Sequence, residues 1–158
     1  ASEYYCGVYH RLHGLETVSL RYFNVYGPRQ RTDSPYSGVI TKFLTAARAG
    51  QPMTIFGAGS QSRDFVHVAD VVAANIAAAT SASDLVAGKT FNIGTGASVS
   101  VRELAAMVGK LYPQAAEPRH EPPRAGEILH SRADIARARE ALGFDPRGGL
   151  ERYLAASL

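Results

Sequence analysis

Residues 20–30 combine a β-type run with an abrupt polar end, in which Asn24 is followed by a Gly-Pro turn and by Arg29 and Gln30. Residues 17–23 alternate polar and apolar side chains only in part, so a plain solvent-facing strand is not favoured. Ligands of open α/β sheets bind beyond the carboxyl ends of strands, which places Asn24 where a substrate would lie. A strand that simply ends in an asparagine turn fits these residues equally well, because Asn, Gly and Pro are ordinary turn formers.

The rest of the chain alternates between helical and extended patterns, which predicts a mixture of helices and short strands. The predicted helices cover residues 2–12, 38–48, 70–80, 100–111, 134–142 and 150–158. The predicted strands cover residues 17–23, 53–56, 64–68 and 89–93. A polar loop is predicted at residues 30–35 and a linker at residues 81–88, and residues 117–123 are predicted to be extended and proline-rich. Local signals set the helix starts, such as the capping-box pattern Ser-Val-Arg-Glu at residues 100–103 and the expected cap Asp134.

The bulk composition is that of one soluble globular domain, with 158 residues of which 46% are hydrophobic and 20% charged. The net charge of +3 comes from scattered arginines, so a small anionic ligand is favoured over nucleic acid. The single Cys6 forms no intrachain disulfide, and no Cys/His spacing indicates a metal site. The single cysteine fits a reducing compartment, so a cytoplasmic location is expected. No apolar run suits a membrane span, and the first residues lack the basic and apolar regions of a signal peptide.

Arg63 is a candidate ligand contact because it follows a glycine-containing loop at residues 57–62. Glycines allow a close backbone approach to a ligand, and an arginine beside them can form paired hydrogen bonds to phosphate oxygens. Taken alone, Arg63 and Asp64 fit a structural ion pair better. Taken alone in the same way, Phe56 is interpreted as a buried residue of a strand, and Arg124 is interpreted as a solvated charge on the surface.

Residues 94–96 (Gly-Thr-Gly) imitate a phosphate-binding loop, because they follow a predicted strand and precede a predicted helix. Val99 stands where the third glycine of Gly-x-Gly-x-x-Gly would be, so a structural turn is predicted instead. His67 and Cys6 are assigned to the core or a helix surface, since no Ser/His/Asp set can be assembled from the sequence.

Four segments resemble, in order, the extended short-chain dehydrogenase/reductases, in particular the NAD-dependent nucleotide-sugar epimerases and dehydratases. They are residues 21–28, 55–68, 91–96 and 124–127. The resemblance implies an α/β fold, namely the C-terminal part of an extended Rossmann-type short-chain dehydrogenase with the small α/β substrate-binding domain. Residues 1–35 would be the last part of the NAD-binding domain. Residues 36–158 would form the nucleotide-sugar-binding region, with returning Rossmann elements around residues 64–95.

The same resemblance implies a UDP-sugar site. Its substrate-binding residues would be Asn24, Val39, Ile40, Thr54, Ile55, Phe56, Arg63, Arg124, Glu127 and Ser131. In members of this family the matching arginines, here Arg63 and Arg124, hold the diphosphate, and Phe56 would offer its ring to uracil. Glu127 replaces the family's Asp at the ribose hydroxyls. The residues at 39, 40, 54 and 55 would act through their backbone groups.

Ser131 stands where family members restricted to plain hexoses resemble one another in carrying a Tyr, which implies room for an N-acetylated sugar. Phe23 stands where the family's backbone touches the nicotinamide of NAD. The family's Gly-rich loop and its catalytic Tyr-x-x-x-Lys pair do not occur in the sequence, so no catalytic residue is assigned and the chain alone is expected to be inactive.

For the complete enzyme, closest to the UDP-glucose and UDP-N-acetylglucosamine 4-epimerases, the resemblance implies NAD, a UDP-sugar substrate and a homodimer. Two alternatives stay open. One is a nucleotide-sugar dehydratase or decarboxylase, and the other is a non-catalytic nucleotide-sugar-binding module.

Overall fold

The structure is a computed structural model that describes residues 1–31 and 38–156. Its helices are α1 (Ser2–His13), α2 (Val39–Arg48), α3 (Val68–Thr80), α4 (Ser83–Val86), α5 (Val101–Leu111), α6 (Ala136–Leu142) and α7 (Leu150–Ala156). Its strands are β1 (Val18–Tyr22), β2 (Asn24–Tyr26), β3 (Thr54–Phe56), β4 (Ser62–Arg63), β5 (Phe65–His67), β6 (Lys89–Ile93), β7 (Val99–Ser100) and β8 (Arg119–Glu121). Each predicted helix and strand has a counterpart here.

The strands pair two by two. β1 pairs in parallel with β6, β2 with β5 and β3 with β8, whereas β4 and β7 are antiparallel. Only Phe23 separates β1 from β2; its N–H donates to the Ile93 carbonyl at 2.9 Å, and the N–H of Asn24 donates to the Asp64 carbonyl at 3.0 Å. The chain therefore changes its partner strand between Phe23 and Asn24, at the place where the sequence predicts that a strand ends.

Buried apolar side chains form two clusters within the described ranges. The first, here called the cleft cluster, joins α2, α5 and α7 to β3. Its buried members are Tyr26, Ile40, Phe43, Leu44, Ala47, Met53, Ile55, Phe65, Val101, Leu104, Ala105, Val108, Tyr112 and Leu154. The second, here called the sheet cluster, packs α3 and α6 on β6. Its buried members are Val66, Val71, Ala74, Val86, Phe91, Ile93, Ala138, Leu142 and Phe144.

The start of α5 follows from its local sequence. The Ser100 hydroxyl accepts the N–H of Glu103 at 3.1 Å, and the Glu103 carboxylate accepts the N–H of Ser100 at 2.8 Å, which confirms the predicted capping box. These bonds from Ser100 lower the pKa of Glu103. At α6 the N-cap residue is Ile135 and not the expected Asp134, although the carboxylate of Asp134 accepts the N–H of Ala136, the first helical residue, at 3.0 Å.

Several predicted boundaries are wrong in detail. Val68 belongs to α3 and not to the preceding strand, because the His67 ring accepts the N–H of Ala69 and caps the helix there. The predicted linker at residues 81–88 contains α4. The segment at residues 117–123 is extended as predicted, since it contains the strand β8. The predicted loop falls largely on residues 32–35, outside the described ranges, as does the proposed domain boundary at residues 35 and 36. None of the described helices is long and apolar enough to cross a bilayer.

Candidate functional site

A cleft of about 650 Å³ lies between α2 and the β3–β8 pair. It is lined by Asn24, Val39, Lys42, Phe43, Ala46, Pro52, Thr54, Phe56, Gln61, Arg63, Val101, Arg119, Glu121, Arg124 and Glu127. Seven of the ten predicted substrate-binding residues belong to this lining, drawn from well-separated parts of the chain. The whole lining contains four cationic side chains and two carboxylates, so the cleft is suited to an anionic ligand.

Strand alternation decides which side chains of β3 face the cleft. Thr54 and Phe56 line it, whereas Ile55 points to the opposite side and is buried in the cleft cluster. The same alternation on β8 directs Arg119 and Glu121 to the cleft, next to Thr54 and Phe56 in the ladder. The two strands thus present a polar and aromatic wall to the cleft, whereas Ile55 and His120 face the other side.

Arg63 lies at one side of this wall, on β4. Its guanidinium donates to the Ser62 carbonyl at 2.9 Å and to a carboxylate oxygen of Glu127 at 3.4 Å. The bond to Glu127 is long, and both side chains are mostly buried. Within the described residues, Arg63 forms no ion pair with its neighbour Asp64, so the structural pair considered from the sequence is not the arrangement found.

Asp64 is fully buried and organises the loops behind the cleft. Its carboxylate accepts hydrogen bonds from the N–H and hydroxyl of Thr95, both at 2.7 Å, from the N–H of Gly96 at 2.9 Å and from the N–H of Ala133 at 3.1 Å. The amides of residues 95 and 96 are therefore used internally. This confirms that the Gly-Thr-Gly segment is a structural turn and not a phosphate-binding loop.

Phe56 and Arg124 are in contact across the cleft. The guanidinium carbon of Arg124 lies 3.7 Å from the centroid of the Phe56 ring, in cation–π geometry. Arg124 comes from the proline-rich segment after β8, and its position ties that segment to β3. One face of the Phe56 ring is thus covered by Arg124, and a planar group could stack on that face only if Arg124 moved.

The glycines of the loop before Arg63 are packed against protein atoms. A Cβ on Gly59 would lie 2.9 Å from a methyl of Ile55, and Gly59 has a φ of +72°. Gly57, at a φ of +64°, would place a Cβ 3.4 Å from Pro123. The expectation that these glycines admit a ligand close to the backbone is therefore replaced by a tight turn beneath the cleft.

Four other predicted residues lie outside the lining. Ile40 and Ile55 are buried in the cleft cluster, although their backbone groups belong to the elements that form the wall. The N–H of Ser131 donates to the Ser62 carbonyl at 3.1 Å, which places Ser131 beside the residue that precedes Arg63. Phe23 is half-buried at the change of partner strands.

Several lining residues were not predicted from the sequence. Lys42 follows Val39 by three residues on α2, so helical spacing contained the signal. Arg119 and Glu121 depend on the pairing of β8 with β3, which is not a local property. Gln61 is buried and donates from its side-chain amide to the Phe56 carbonyl at 2.9 Å, holding the loop against the strand. No group of His, Cys, Asp and Glu side chains suited to a metal ion occurs in the described part of the chain.

The comparisons with known proteins point in one direction. The model of the NAD dependent epimerase/dehydratase family matches residues 1–94. A UDP-glucose 4-epimerase from Mycolicibacterium smegmatis is 40% identical over 155 residues, covering 98% of this chain and 48% of that protein. A UDP-N-acetyl-alpha-D-glucosaminuronate decarboxylase from Bacillus cytotoxicus is 36% identical over 149 residues, covering 90% of this chain and 45% of that protein.

Solved structures are similar over the same extent. A UDP-glucose 4-epimerase with UDP-glucose from Thermotoga maritima superposes with a TM-score of 0.91 at 36% identity, covering 99% of this chain and 49% of that one. A UDP-N-acetylglucosamine 4-epimerase from Methanobrevibacter ruminantium, in complex with UDP-N-acetylmuramic acid, gives a TM-score of 0.89 at 35% identity, with 98% and 49% covered. The chain spans about half the length of the curated relatives it matches. The predicted α/β fold of the extended Rossmann type is confirmed.

Proposed function

This chain belongs to the NAD dependent epimerase/dehydratase family, and we propose that it provides the nucleotide-sugar-binding part of an NAD-dependent UDP-sugar 4-epimerase. The observation that carries the proposal is the cleft, in which Arg63, Arg124 and Phe56 come together from separate segments. Two arginines beside an aromatic ring match the chemistry of a nucleoside diphosphate, since guanidinium groups bind phosphate oxygens and a ring binds a base. The relatives named as UDP-sugar 4-epimerases support the same reading.

The diphosphate would replace contacts that the two arginines now make within the protein. Arg63 would exchange its long bond to Glu127 for phosphate oxygens, because a charge-assisted bond of normal length is stronger. Glu127 would then be available to accept hydrogen bonds from the ribose hydroxyls. Arg124 would reach the diphosphate from its position over Phe56.

The base and the sugar would occupy opposite sides of this diphosphate. Phe56 and the backbone at Thr54 and Ile55 would meet the uracil, and the backbone at residues 39 and 40 would close the cleft from α2. Asn24 would contact the sugar at the change of partner strands. The proposed space beside Ser131 for a 2-acetamido group is supported by the Methanobrevibacter ruminantium neighbour, which is named for an N-acetylated substrate.

NAD is proposed for the complete enzyme only. When bound, it would remove a hydride from C4 of the sugar and return one to the opposite face. The residues of this chain fit only the edge of such a site. The N–H groups of Thr95 and Gly96 already donate to Asp64, and Phe23 supplies the single proposed contact to the nicotinamide. A homodimer is likewise proposed for the complete enzyme.

The proposal is tested by calorimetric titration of the 158-residue chain with UDP-glucose and UDP-N-acetylglucosamine. Replacing Arg63→Gln removes a charge-assisted contact to the diphosphate and is expected to weaken binding by about tenfold or more. Arg139→Gln, an exposed arginine on α6 outside the cleft, is the matched control and should bind as the unaltered chain does. Equal affinities for the Arg63→Gln and Arg139→Gln variants would contradict the assignment.

A decarboxylase is the second candidate, favoured by the Bacillus cytotoxicus relative at 36% identity. Assay of the complete enzyme with UDP-glucose and UDP-glucuronic acid separates the two activities. Interconversion of UDP-sugars at C4 supports the epimerase, whereas release of carbon dioxide supports the decarboxylase. Binding without either reaction would support the non-catalytic module.

A further inference from the structure

Two cations line the cleft without a role in the proposed contacts to diphosphate or ribose. They are Lys42 on α2 and Arg119 on β8. Arg119 is the ladder partner of Thr54, so it lies about 7 Å along the strand from the level of Phe56, at two residues of rise. Pro52 and Ala46 also line the cleft, which shows that the wall continues past Thr54. A nucleotide whose phosphates meet Arg63 and Arg124 would direct the far edge of its base towards this end.

Both side chains are donors only. A lysine ammonium has three N–H donors and an arginine guanidinium five, and neither has an acceptor. Uracil and thymine present a carbonyl at position 4, whereas cytosine presents an amino group there. Donor-only groups form hydrogen bonds with the carbonyl and leave the amino group facing other donors, which is a direct source of discrimination.

Glu121 competes for the hydrogen-bond donors of Arg119 but does not prevent Arg119 from donating to a base. The two side chains form an ion pair at 3.0 Å, and Arg119 is 63% exposed, so the pair is weak and rearranges easily. One of the five donors faces Glu121, and Arg119 is among the residues that line the cleft. Lys42 is exposed on the α2 face that also presents Val39 and Ala46 to the cleft.

We propose that Lys42 and Arg119 select the base of the bound nucleotide by donating hydrogen bonds to the 4-carbonyl of uracil or thymine, against the 4-amino group of cytosine. This inference rests on the proposed function, because it needs a nucleoside diphosphate in the cleft. It goes further by assigning base selection to two residues outside the Arg63 and Arg124 contacts.

The test compares UDP with CDP, which differ at the base edge, and uses pyrophosphate to measure the phosphate contacts alone. Calorimetry on the 158-residue chain is expected to show UDP binding about tenfold more tightly than CDP, the effect of one charge-assisted hydrogen bond. The Lys42→Met/Arg119→Met double variant should lose most of this preference by binding UDP more weakly. Lys110→Met/Arg139→Met removes the same charge outside the cleft, and it should retain the preference.

Pyrophosphate separates base selection from general attraction to anions. If the double variant weakens UDP, CDP and pyrophosphate by one common factor, or if the unaltered chain binds UDP and CDP equally, base selection is wrong and the proposed function stands. If neither nucleotide nor pyrophosphate binds the unaltered chain, the proposed function fails and this inference fails with it. Circular dichroism confirms folding of each variant, and the single variant Lys42→Met, at an exposed helix position, repeats the comparison if the double variant unfolds.

Discussion

The cleft cluster and the α1 helix differ sharply in how they use apolar side chains. In the cleft cluster, α5 alone buries Val101, Leu104, Ala105 and Val108. In α1 no residue is buried, and Tyr4, Tyr5, Tyr9 and Leu12 are all largely exposed. Other elements cover the apolar residues of α5, whereas the apolar residues of α1 are left exposed although they have helical spacing. The cleft therefore has a core of its own, whereas the apolar side chains of α1 belong to neither buried cluster of the described residues.

The largest expected effect uses the same substitution in both regions. Leu104→Ala in the cleft cluster removes a side chain with no exposed surface and should lower the free energy of unfolding by about 4 kcal/mol, through lost burial and a cavity. Leu12→Ala on α1 removes a side chain that is 72% exposed and should change it by less than about 0.5 kcal/mol. Urea denaturation followed by circular dichroism measures both. Similar losses for the two variants would mean that α1 is packed as firmly as α5.

A smaller effect is expected where the loops behind the cleft are joined. Asp64→Asn keeps the size of the side chain but points an amide N–H₂ group at N–H donors, and should cost about 2 kcal/mol or more in unfolding free energy. Asp134→Asn is the matched control. Its exposed side chain accepts the N–H of Ala136 through one oxygen, which asparagine retains, so a change near zero is expected. A tolerated Asp64→Asn would show that the Gly-Thr-Gly turn holds its shape without the carboxylate.

How much of the site was predictable depends on which contacts are local. Arg63, Phe56 and Arg124 were assigned from motifs, and the structure brings them into one cleft. Lys42 was in reach of helical spacing, but Arg119 faces the cleft because β8 pairs with β3 across more than sixty residues, which no periodicity reveals. The ion pair considered between Arg63 and Asp64 was wrong for the same reason. The Asp64 carboxylate is bound by residues 95, 96 and 133, which lie far away in the sequence.

The secondary structure also divides into elements that local sequence predicts and elements that depend on distant contacts. The helices and the strands at residues 18–22 and 89–93 follow from periodicity, and the α5 capping box is a local signal that the structure confirms. The two-residue strands β4 and β7 have no periodicity to detect, because each exists only through its pairing with the other. α4 is one turn long, which is too short for helical spacing to be visible within a linker.

The smallest expected effect at neutral pH concerns a buried hydroxyl group inside the cleft cluster. Tyr26 is buried against the rings of His67 and Tyr153, and its hydroxyl has no hydrogen-bond partner within the described residues. Tyr26→Phe keeps these ring contacts and removes only that hydroxyl. It should therefore change the free energy of unfolding by less than about 1 kcal/mol, unlike Leu104→Ala in the same cluster.

The same substitution has a larger consequence in alkali. Burial, followed by the charge of Asp70, raises the pKa of Tyr26 to about 12 from an ordinary 10, and nearby Arg152 only partly opposes this. The folded state then holds a proton that the unfolded state has lost, so the stability that depends on neutral Tyr26 is complete below pH 10 and is lost as the pH rises through 12. Denaturation at pH 8, 10 and 11.5 should show a steeper loss for the unaltered chain than for Tyr26→Phe. Parallel losses would indicate that Tyr26 ionises in the folded protein as easily as in the unfolded chain, and that the cleft cluster is open to water at this point.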